Sequence, residues 1–374
     1  MPVCGRRFFV EKVFFIKKGI KKRVFGICGV FIYVSNKASG ENSLKERTFL
    51  IEKQFLSPYA TRSDKTEGRL REEKPCPMRT DFQRDRDRII HCKAFRRLKN
   101  KTQVFFSPEG DHYRTRLTHT LTVSQVARAI SRAIALNEDL TEAIALGHDL
   151  GHTPFGHSGE RILNRLNPAG FCHNVQSGRV VDYLENDGRG LNLTREVVDG
   201  IINHKMNCTP KTLEGKAVSL ADRIAYINHD IDDAIEGGFI TFEDLPKEAI
   251  KVLGKTSSER INSMVYSIYE ESNGKNKVEM GKEAAEATAC LRSFLFERVY
   301  NDKTFRDEEK KADRMISALY EYYREKPEEL PDFYRKELEN NDINVVLCDY
   351  VSGMSDMYAV KTFSAIFIPD NWKL

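Results

Sequence analysis

Histidine and carboxylate side chains are concentrated in one short stretch, residues 145–160, with the sequence Ala-Leu-Gly-His-Asp-Leu-Gly-His-Thr-Pro-Phe-Gly-His-Ser-Gly-Glu. Apolar residues before it recur at helical spacing, so His148 and Asp149 are predicted to lie on the last turn of a helix. Gly151 lets the chain leave that helix, and Pro154 prevents a simple continuation. These ionisable groups must therefore sit on a helix end and the tight loop behind it, where imidazole and carboxylate suit a divalent metal such as Mn, Fe, Zn or Mg.

An isolated His-Asp pair usually has no functional meaning, so the density of histidine is the stronger observation. The chain has nine histidines. Five of them fall within a short part of the chain, namely His119, His148, His152, His157 and His173. A solvated helix face would more naturally carry Lys and Glu, and the cluster therefore predicts a site rather than ordinary surface.

Composition limits the class of protein. The chain of 374 residues is 40% hydrophobic and 30% charged, which predicts a soluble protein with a sizeable core. Its net charge of +4 comes from the first 50 residues, so the main body is not a generally basic nucleic-acid binder. Eight scattered cysteines without a CxxC pair resemble reduced thiols of a cytoplasmic protein more than a disulfide framework or a zinc ribbon.

Residues 1–45 differ from the rest of the chain in charge and hydrophobicity. A basic segment precedes an apolar run at residues 24–34, which is too short to span a bilayer comfortably. One interpretation is an export signal or membrane anchor. The other is a disordered or non-native extension, and the pattern of reduced cysteines favours this second interpretation.

Helical periodicity dominates the remainder, and strand-like runs are few, so the predicted fold class is all-α. Residues 117–136 are predicted to form a helix with His119 on its apolar face. Charges alternate with an apolar stripe over residues 82–101. This segment is either a salt-bridged amphipathic helix or a cationic wall for a polyphosphate.

Residues 216–236 form the clearest predicted helix. A polar stripe follows one face of it, consisting of Asp222, Tyr226, Asp230 and Asp233. At ~1.5 Å per residue, Asp222 and Asp230 are roughly 12 Å apart, about the reach of a nucleotide's phosphate and sugar. Stacked carboxylates repel each other unless something positive lies opposite them, and a metal ion would meet that need.

Four of these residues make the pattern H…HD…D on three helices, with His119, His148–Asp149 and Asp222. The pattern resembles the HD-domain phosphohydrolases, which are helical and bind one or two divalent metals. Longer stretches narrow the resemblance to the bacterial deoxyguanosinetriphosphate triphosphohydrolase family. They are residues 79–91, 94–98, 101–105, 116–119, 148–160, 173–174, 221–230 and 349–356.

The resemblance implies an HD-domain helical bundle with additional C-terminal helices. We expect a metal phosphohydrolase core at residues 56–240 and a helical part at residues 241–374 that packs on it. Residues 1–45 have no counterpart in the family. Met357 stands where the family usually has an arginine, which puts C-terminal contacts to substrate or effector in doubt but not the metal centre.

The implied activity is metal-dependent hydrolysis of deoxynucleoside triphosphates, dGTP or several of them, to deoxynucleoside and inorganic triphosphate. A metal makes water nucleophilic for attack on the α-phosphate, and an imidazole oriented by a carboxylate can protonate the leaving 5′-oxygen. The resemblance assigns the metal ligands to His119, His148, Asp149 and Asp222. It assigns the catalytic and phosphate-contacting group to His152, His157, Glu160 and His173.

Five further residues resemble substrate contacts of the family. Arg116 and Arg223 resemble phosphate clamps, and Gln103 resembles a sugar contact. Tyr226 resembles a gate that stacks on the sugar, with Asp230 as acceptor for the 3′-hydroxyl.

Several partners and functions follow from the resemblance or compete with it. The family is commonly oligomeric, often hexameric, and a nucleotide effector is compatible with it. Single-stranded nucleic acid is a partner without a supporting motif, and no membrane is expected. One competing hypothesis is another HD phosphohydrolase, acting on nucleoside monophosphates, cyclic nucleotides or alarmones. Another is a non-enzymatic nucleotide sensor or nucleic-acid-binding module, which would tolerate a damaged metal set, whereas all four ligands are present here.

Overall fold

The computed structural model describes residues 24–27, 30–33, 44–103 and 114–369, and this part of the chain is all-α apart from one short hairpin. The hairpin pairs strand β1 (Val24–Ile27) with strand β2 (Val30–Tyr33) in antiparallel register. Most of residues 1–45 lies outside the described part, and the interpretation of this segment stays open. Within the described part, no helix has both the length and the hydropathy needed to cross a bilayer, and six cysteines are free thiols.

Ten helices carry the first part of the described chain up to residue 236. They are α1 (Leu44–Phe55), α2 (Asp81–His91), α3 (Lys93–Arg97), α4 (Arg116–Ala133), α5 (Glu138–Gly147), α6 (Gly156–Leu166), α7 (His173–Arg179), α8 (Glu185–Gly188), α9 (Arg195–Ile202) and α10 (Leu213–Glu236). The predicted helices at 117–136 and 216–236 correspond to α4 and α10.

Seven more helices follow towards the C-terminus. They are α11 (Lys247–Leu253), α12 (Ser257–Ser272), α13 (Lys282–Arg298), α14 (Lys303–Glu325), α15 (Asp332–Glu337), α16 (Ile343–Ser352) and α17 (Asp356–Phe367). Single 3₁₀ turns lie at Ser63–Lys65, Leu98–Asn100, Phe242–Asp244 and Pro327–Glu329, and a π-helical turn lies at Val180–Leu184.

Two apolar cores hold these helices together. The first joins α2, α4, α5, α9 and α10 and continues past residue 240 into α11, α12 and α13. The second joins α6 to α14, α16 and α17. The first apolar core runs across residue 240. The predicted boundary between the phosphohydrolase core and the C-terminal part at that residue stays a prediction.

The charged segment 82–101 is not one helix, because the chain breaks at Cys92 between α2 and α3. A capping box at Thr80 and Gln83 begins α2. The α2 arginines are engaged in ion pairs: Arg88 contacts Glu73 at 2.6 Å, and Arg86 lies 3.4 Å from a carboxylate oxygen of Glu142. This pairing favours the salt-bridged helix over a cationic wall for polyphosphate.

The end of α5 differs slightly from its prediction. The helix starts at an Asn137 cap, whose side-chain oxygen accepts the backbone N–H of Asp139 at 3.1 Å, and ends at Gly147. His148 keeps helical dihedral angles as the residue after the helix, and Asp149 lies in the turn beyond it. We call residues 148–156 the histidine loop.

The histidine loop packs closely against the start of α7. A Cβ added at Gly151 would lie 2.8 Å from the carbonyl oxygen of His173 and closer still to the backbone nitrogen of Ser177. The loop ends in two successive residues with left-handed backbone, Phe155 (φ 59°) and Gly156 (φ 58°). Only glycine fits at position 151, because any side chain there would overlap the backbone of α7. This close contact sets the position of the histidine loop relative to α7.

Residues 161–200 are predicted to be helical, with a break at Pro168–Gly170 and a new helix start near His173. In the structure α6 ends at Leu166 and α7 begins at His173, but a second interruption follows. Asn186 and Asp187 both have φ of 56°, outside the right-handed helical region, and divide the π-helical turn from α9. Asparagine and aspartate tolerate the left-handed conformation better than other side chains, and this is why the helical pattern fails at these two residues.

Candidate active site

The four predicted metal ligands meet where α4, the end of α5 and α10 come together. His119 Nε2 lies 3.0 Å from Asp222 Oδ1. His148 Nε2 lies 3.5 Å from Asp149 Oδ2 and 3.9 Å from Asp222 Oδ1. Three residues of the group, His119, His148 and Asp149, offer ligand atoms that all lie within 4.8 Å of one another.

The hydrogen bonds of His148 fix which ring nitrogen is available. Its Nδ1 lies 2.7 Å from the carbonyl oxygen of Ala145, so Nδ1 carries the proton and Nε2 carries the lone pair. This buried Nε2 has no hydrogen-bond partner among the described residues. A divalent cation would satisfy it, and the mixed imidazole and carboxylate set fits several transition metals as well as Mg.

Asp149 is held as a carboxylate. Burial alone would raise its pKa, but electrostatic interactions with His148 and Arg116 hold the pKa of Asp149 well below its ordinary value. Arg116 Nη1 donates to Asp149 Oδ2 at 2.6 Å, and its Nη2 donates to the carbonyl oxygen of Gln103 at 3.3 Å. The predicted phosphate clamp Arg116 is therefore placed directly beside a predicted metal ligand.

The other predicted catalytic residues form a second group, arranged around Glu160. Its Oε2 lies 3.2 Å from His157 Nδ1 and 2.8 Å from His173 Nδ1, and its Oε1 lies 3.2 Å from Lys205 Nζ. Burial opposes ionisation, but the bonds from His157 and His173 hold the pKa of Glu160 far below its ordinary value. One carboxylate thus orients two imidazoles.

His152 has a different environment from its neighbours. Its ring stacks on His173 with centroids 4.5 Å apart, and neither ring nitrogen has a hydrogen-bond partner among the described residues. Burial, followed by the charge of Arg116, lowers the pKa of His152 well below its ordinary value. His173 also has a lowered pKa, mainly because of burial. Burial thus favours the neutral form of both rings.

His204, which the sequence analysis missed, joins the two groups. Its Nδ1 lies 2.7 Å from the carbonyl oxygen of Ile201, and its Nε2 lies 3.4 Å from His173 Nε2. Asp149 Oδ1 is 4.0 Å from the same His173 nitrogen. Asp149, His173 and His204 therefore make a second set of ligand atoms within 4.8 Å, and a cation between them would relieve the facing lone pairs.

The polar stripe of α10 leads away from the metal ligands. Asp222 is the most accessible of the four ligands, with its side chain 25% exposed against 4% or less for the others. Further along the stripe, Tyr300, a second residue that the sequence analysis missed, donates its hydroxyl to Asp230 Oδ2. Burial raises the pKa of Asp230 to about 7, with neighbouring Asp233 adding to the shift.

Two of the remaining predicted residues have buried polar atoms without a partner in the described part of the chain. Arg223 Nε and Gln103 Oε1 are buried and have no hydrogen-bond partner among the described residues. Tyr226 is half-buried on the same helix as Asp222. Met357, in the first turn of α17, is 65% exposed.

Comparisons with known proteins show which family this chain resembles. A family model described as HD domain matches residues 116–227, and one described as phosphohydrolase-associated domain matches residues 278–365. A relative from Caldanaerobacter subterraneus subsp. tengcongensis is 56% identical over 329 residues, covering 88% of this chain and 97% of that protein. Relatives from Clostridium perfringens and Geobacter metallireducens are 49% and 40% identical, covering 87% and 85% of this chain and 98% and 96% of theirs. All three are named deoxyguanosinetriphosphate triphosphohydrolase-like protein.

Proposed function

The chain belongs to the family of deoxyguanosinetriphosphate triphosphohydrolase-like proteins with an HD domain, and from this premise we propose that it hydrolyses deoxynucleoside triphosphates to deoxynucleoside and inorganic triphosphate. One observation carries the proposal. The predicted metal ligands include a buried nitrogen, His148 Nε2, that has no hydrogen-bond partner among the described residues. They lie at one end of the polar stripe of α10, and the buried carboxyl of Asp230, the predicted acceptor for a sugar hydroxyl, lies two helical turns along it.

The residues of the first group would hold the metal. His119, His148, Asp149 and Asp222 supply two imidazole nitrogens and two carboxylates, and Ala145 orients His148 through its carbonyl oxygen. When bound, a divalent metal supplies Lewis acidity at the α-phosphate and makes water a nucleophile near neutral pH. These side chains suit Mn, Mg, Fe or Zn, and the proposal does not choose among the four metals.

His157 is the best candidate to protonate the leaving 5′-oxygen. Glu160 orients it through Nδ1, and its side chain is 64% exposed, so the other nitrogen can reach a bound nucleotide. His152 and His173 have lowered pKa values and suit hydrogen bonding to phosphate better than proton donation. Arg116 and Arg223 add positive charge for the triphosphate.

The sugar would lie along α10. With the α-phosphate at Asp222, the deoxyribose meets Tyr226 and its 3′-hydroxyl reaches Asp230, whose Oδ1 has no hydrogen-bond partner among the described residues. Tyr300 holds the other carboxylate oxygen of Asp230. The division of the chain at residue 240, assembly into a homo-oligomer and binding of a nucleotide effector remain predictions of the family resemblance.

The test is product analysis. Each of the four dNTPs is incubated with the protein and Mn or Mg, and the products are separated by chromatography, with Asp149→Asn as the inactive control. We expect deoxynucleoside and intact inorganic triphosphate in equal amounts. Release of monophosphate, diphosphate or pyrophosphate would assign the chain to another phosphohydrolase activity, and no turnover with any dNTP would contradict the proposal.

A further inference from the structure

His152 lacks any hydrogen bond from its ring to the described residues, so its ring must be positioned through its backbone and through stacking. The backbone N–H of His152 donates to the carbonyl oxygen of Asp149 at 3.0 Å, which keeps the turn closed. Its own carbonyl oxygen accepts a hydrogen bond from the Nζ of Lys101. The lysine is therefore bonded to the main chain of a residue that the proposed function places at the phosphate.

Lys101 connects this loop to the C-terminal part of the chain. It is almost completely buried, and its Nζ also donates to the carbonyl oxygen of Ser352 at 2.7 Å, at the end of α16. Burial lowers the pKa of Lys101 to about 7. An ammonium group in such surroundings is costly, and two backbone acceptors 200 residues apart in sequence explain why it fits there.

A second connection runs parallel to the first. Asp356, the first residue of α17, is buried and accepts two backbone N–H groups: Oδ1 accepts from Phe155 at 3.0 Å and Oδ2 from Thr102 at 2.9 Å. Phe155 has left-handed backbone, which is unfavourable for a residue with a side chain. The carboxylate thus stabilises the histidine loop at its most strained residue.

We propose that Lys101 and Asp356 are positioning residues that hold the histidine loop, and with it His152, in the geometry needed for turnover. This role rests on the proposed function, and it gives the C-terminal segment 349–356 a part in the reaction without any contact to substrate. Loss of either residue should leave the metal ligands in place, because His119 and Asp222 lie on α4 and α10 outside the loop, and His148 and Asp149 lie at its anchored start.

The experiment compares Lys101→Met, which keeps the length of the side chain, with Asp356→Asn, which keeps its shape. Asp313→Asn serves as the control, because it removes an ion pair between α14 and Arg165 of α6 without touching the loop. Three quantities are measured for each variant: bound metal, kcat and KM with dGTP, and hydrogen exchange of the peptide that covers residues 151–157.

We expect both loop variants to keep their metal and to keep KM within about twofold. Exchange within the loop should become faster, and kcat should fall roughly 10- to 100-fold, as expected when a reacting group is misplaced by about 1 Å. The control should match the wild-type protein in all three measurements. If Lys101→Met fails to fold, Asp356→Asn alone decides the question.

Two results would overturn the inference. One is faster exchange in the loop with unchanged kcat, and the other is unchanged exchange in both variants. A wild-type protein that releases no triphosphate would instead refute the proposed function, while the exchange data would still show whether these two residues hold the loop.

Discussion

The hydrogen bonds of each histidine determine what its ring can do in this site. The ring of His148 is oriented by the carbonyl oxygen of Ala145, which leaves Nε2 for the proposed metal, whereas His157 and His173 are oriented by Glu160. The ring of His152 has no such partner in the part of the chain that the structure describes, so its position depends on its backbone and on stacking. Chemically identical side chains can thus take separate roles within one cluster.

The proximity of the four predicted ligands follows from the sequence, whereas the positions of two neighbouring residues do not. His119, His148–Asp149 and Asp222 lie on strongly periodic helices, so the face that each presents follows from the apolar stripe. His204 follows α9 without a nearby charged motif, and its partner His173 is 31 residues away. Tyr300 meets Asp230 across 70 residues. Only tertiary packing brings such pairs together, although a histidine two residues after the amphipathic helix α9 was a usable clue.

Asp149→Asn should remove both bound metal and activity. The amide keeps the shape of the side chain but offers one weak acceptor in place of a carboxylate. Loss of groups that only support a metal ligand costs about 10- to 100-fold, so loss of the ligand itself should exceed about 100-fold in activity. Elemental analysis with Asp139→Asn, at the opposite end of α5, as control checks this; full metal content in the variant would refute the ligand assignment.

Tyr226→Ala should reduce the preference for deoxyribonucleotides. A ring stacked on the sugar leaves little room at C2′, and a ribose hydroxyl buried there without a partner costs about 1–3 kcal/mol. The ratio of kcat/KM for dGTP over GTP should therefore fall roughly tenfold to a hundredfold in the variant. Asp230→Asn should weaken the use of both nucleotides. An unchanged ratio in a stably folded Tyr226→Ala protein would show that the tyrosine only packs the helix.

The buried carboxyl of Asp230 should make stability depend on pH. Its pKa is raised to about 7 in the folded protein, mainly by burial, so the folded state binds this proton more tightly than the unfolded state does. The resulting stabilisation is present at low pH and is lost as pH rises towards and through about 7.

Asp230→Asn removes that titration, so its stability advantage over the wild-type protein should grow between pH 5 and pH 8 by about 3 kcal/mol. Urea unfolding of the metal-free proteins at both pH values measures the change. The neighbouring Asp233, whose pKa is raised to about 6 mainly by burial, is present in both proteins and largely cancels. An advantage that is the same at both pH values would argue against a raised pKa.

At the scale of helices, starts and ends were more predictable than interruptions. His173 begins α7, as the Pro-Gly break predicts, and α10 ends at Glu236, where the helix predicted at 216–236 ends. The break at Cys92 and the left-handed residues at 186–187 interrupt apolar patterns that continue on either side. Such breaks depend on packing against distant segments, which periodicity does not describe.

Gly151→Ala tests the contact between the histidine loop and α7. Its Cβ would overlap the backbone of α7, so α7 should shift and move His173 away from Glu160. We expect kcat to fall roughly 10- to 100-fold, with an added loss of about 1–3 kcal/mol in stability. Gly238→Ala is the control, because the added carbon would have no described atom within 4 Å, although the φ of 72° at this position adds backbone strain that Gly151 does not have. Equal kcat in the two variants would contradict this requirement for close approach.

At the scale of the whole molecule, the site depends on segments from nearly the full described chain. Lys101, the histidine loop, α10 and the start of α17 all contribute to it, and α13 is followed by Tyr300 at the sugar end. The all-α class follows from composition and periodicity alone. Long-range packing joins α11–α13 to the first core and α6 to the second. No local sequence pattern predicts these contacts.

The central claim is that water attacks the α-phosphorus and that the triphosphate leaves whole. Hydrolysis of dGTP in water enriched in oxygen-18 tests it most directly, with the products examined by mass spectrometry. The account predicts one oxygen-18 atom in the released inorganic triphosphate, on a terminal phosphorus, and none in deoxyguanosine. Oxygen-18 in the deoxynucleoside, or in a nucleoside monophosphate or free phosphate formed in place of triphosphate, would contradict it.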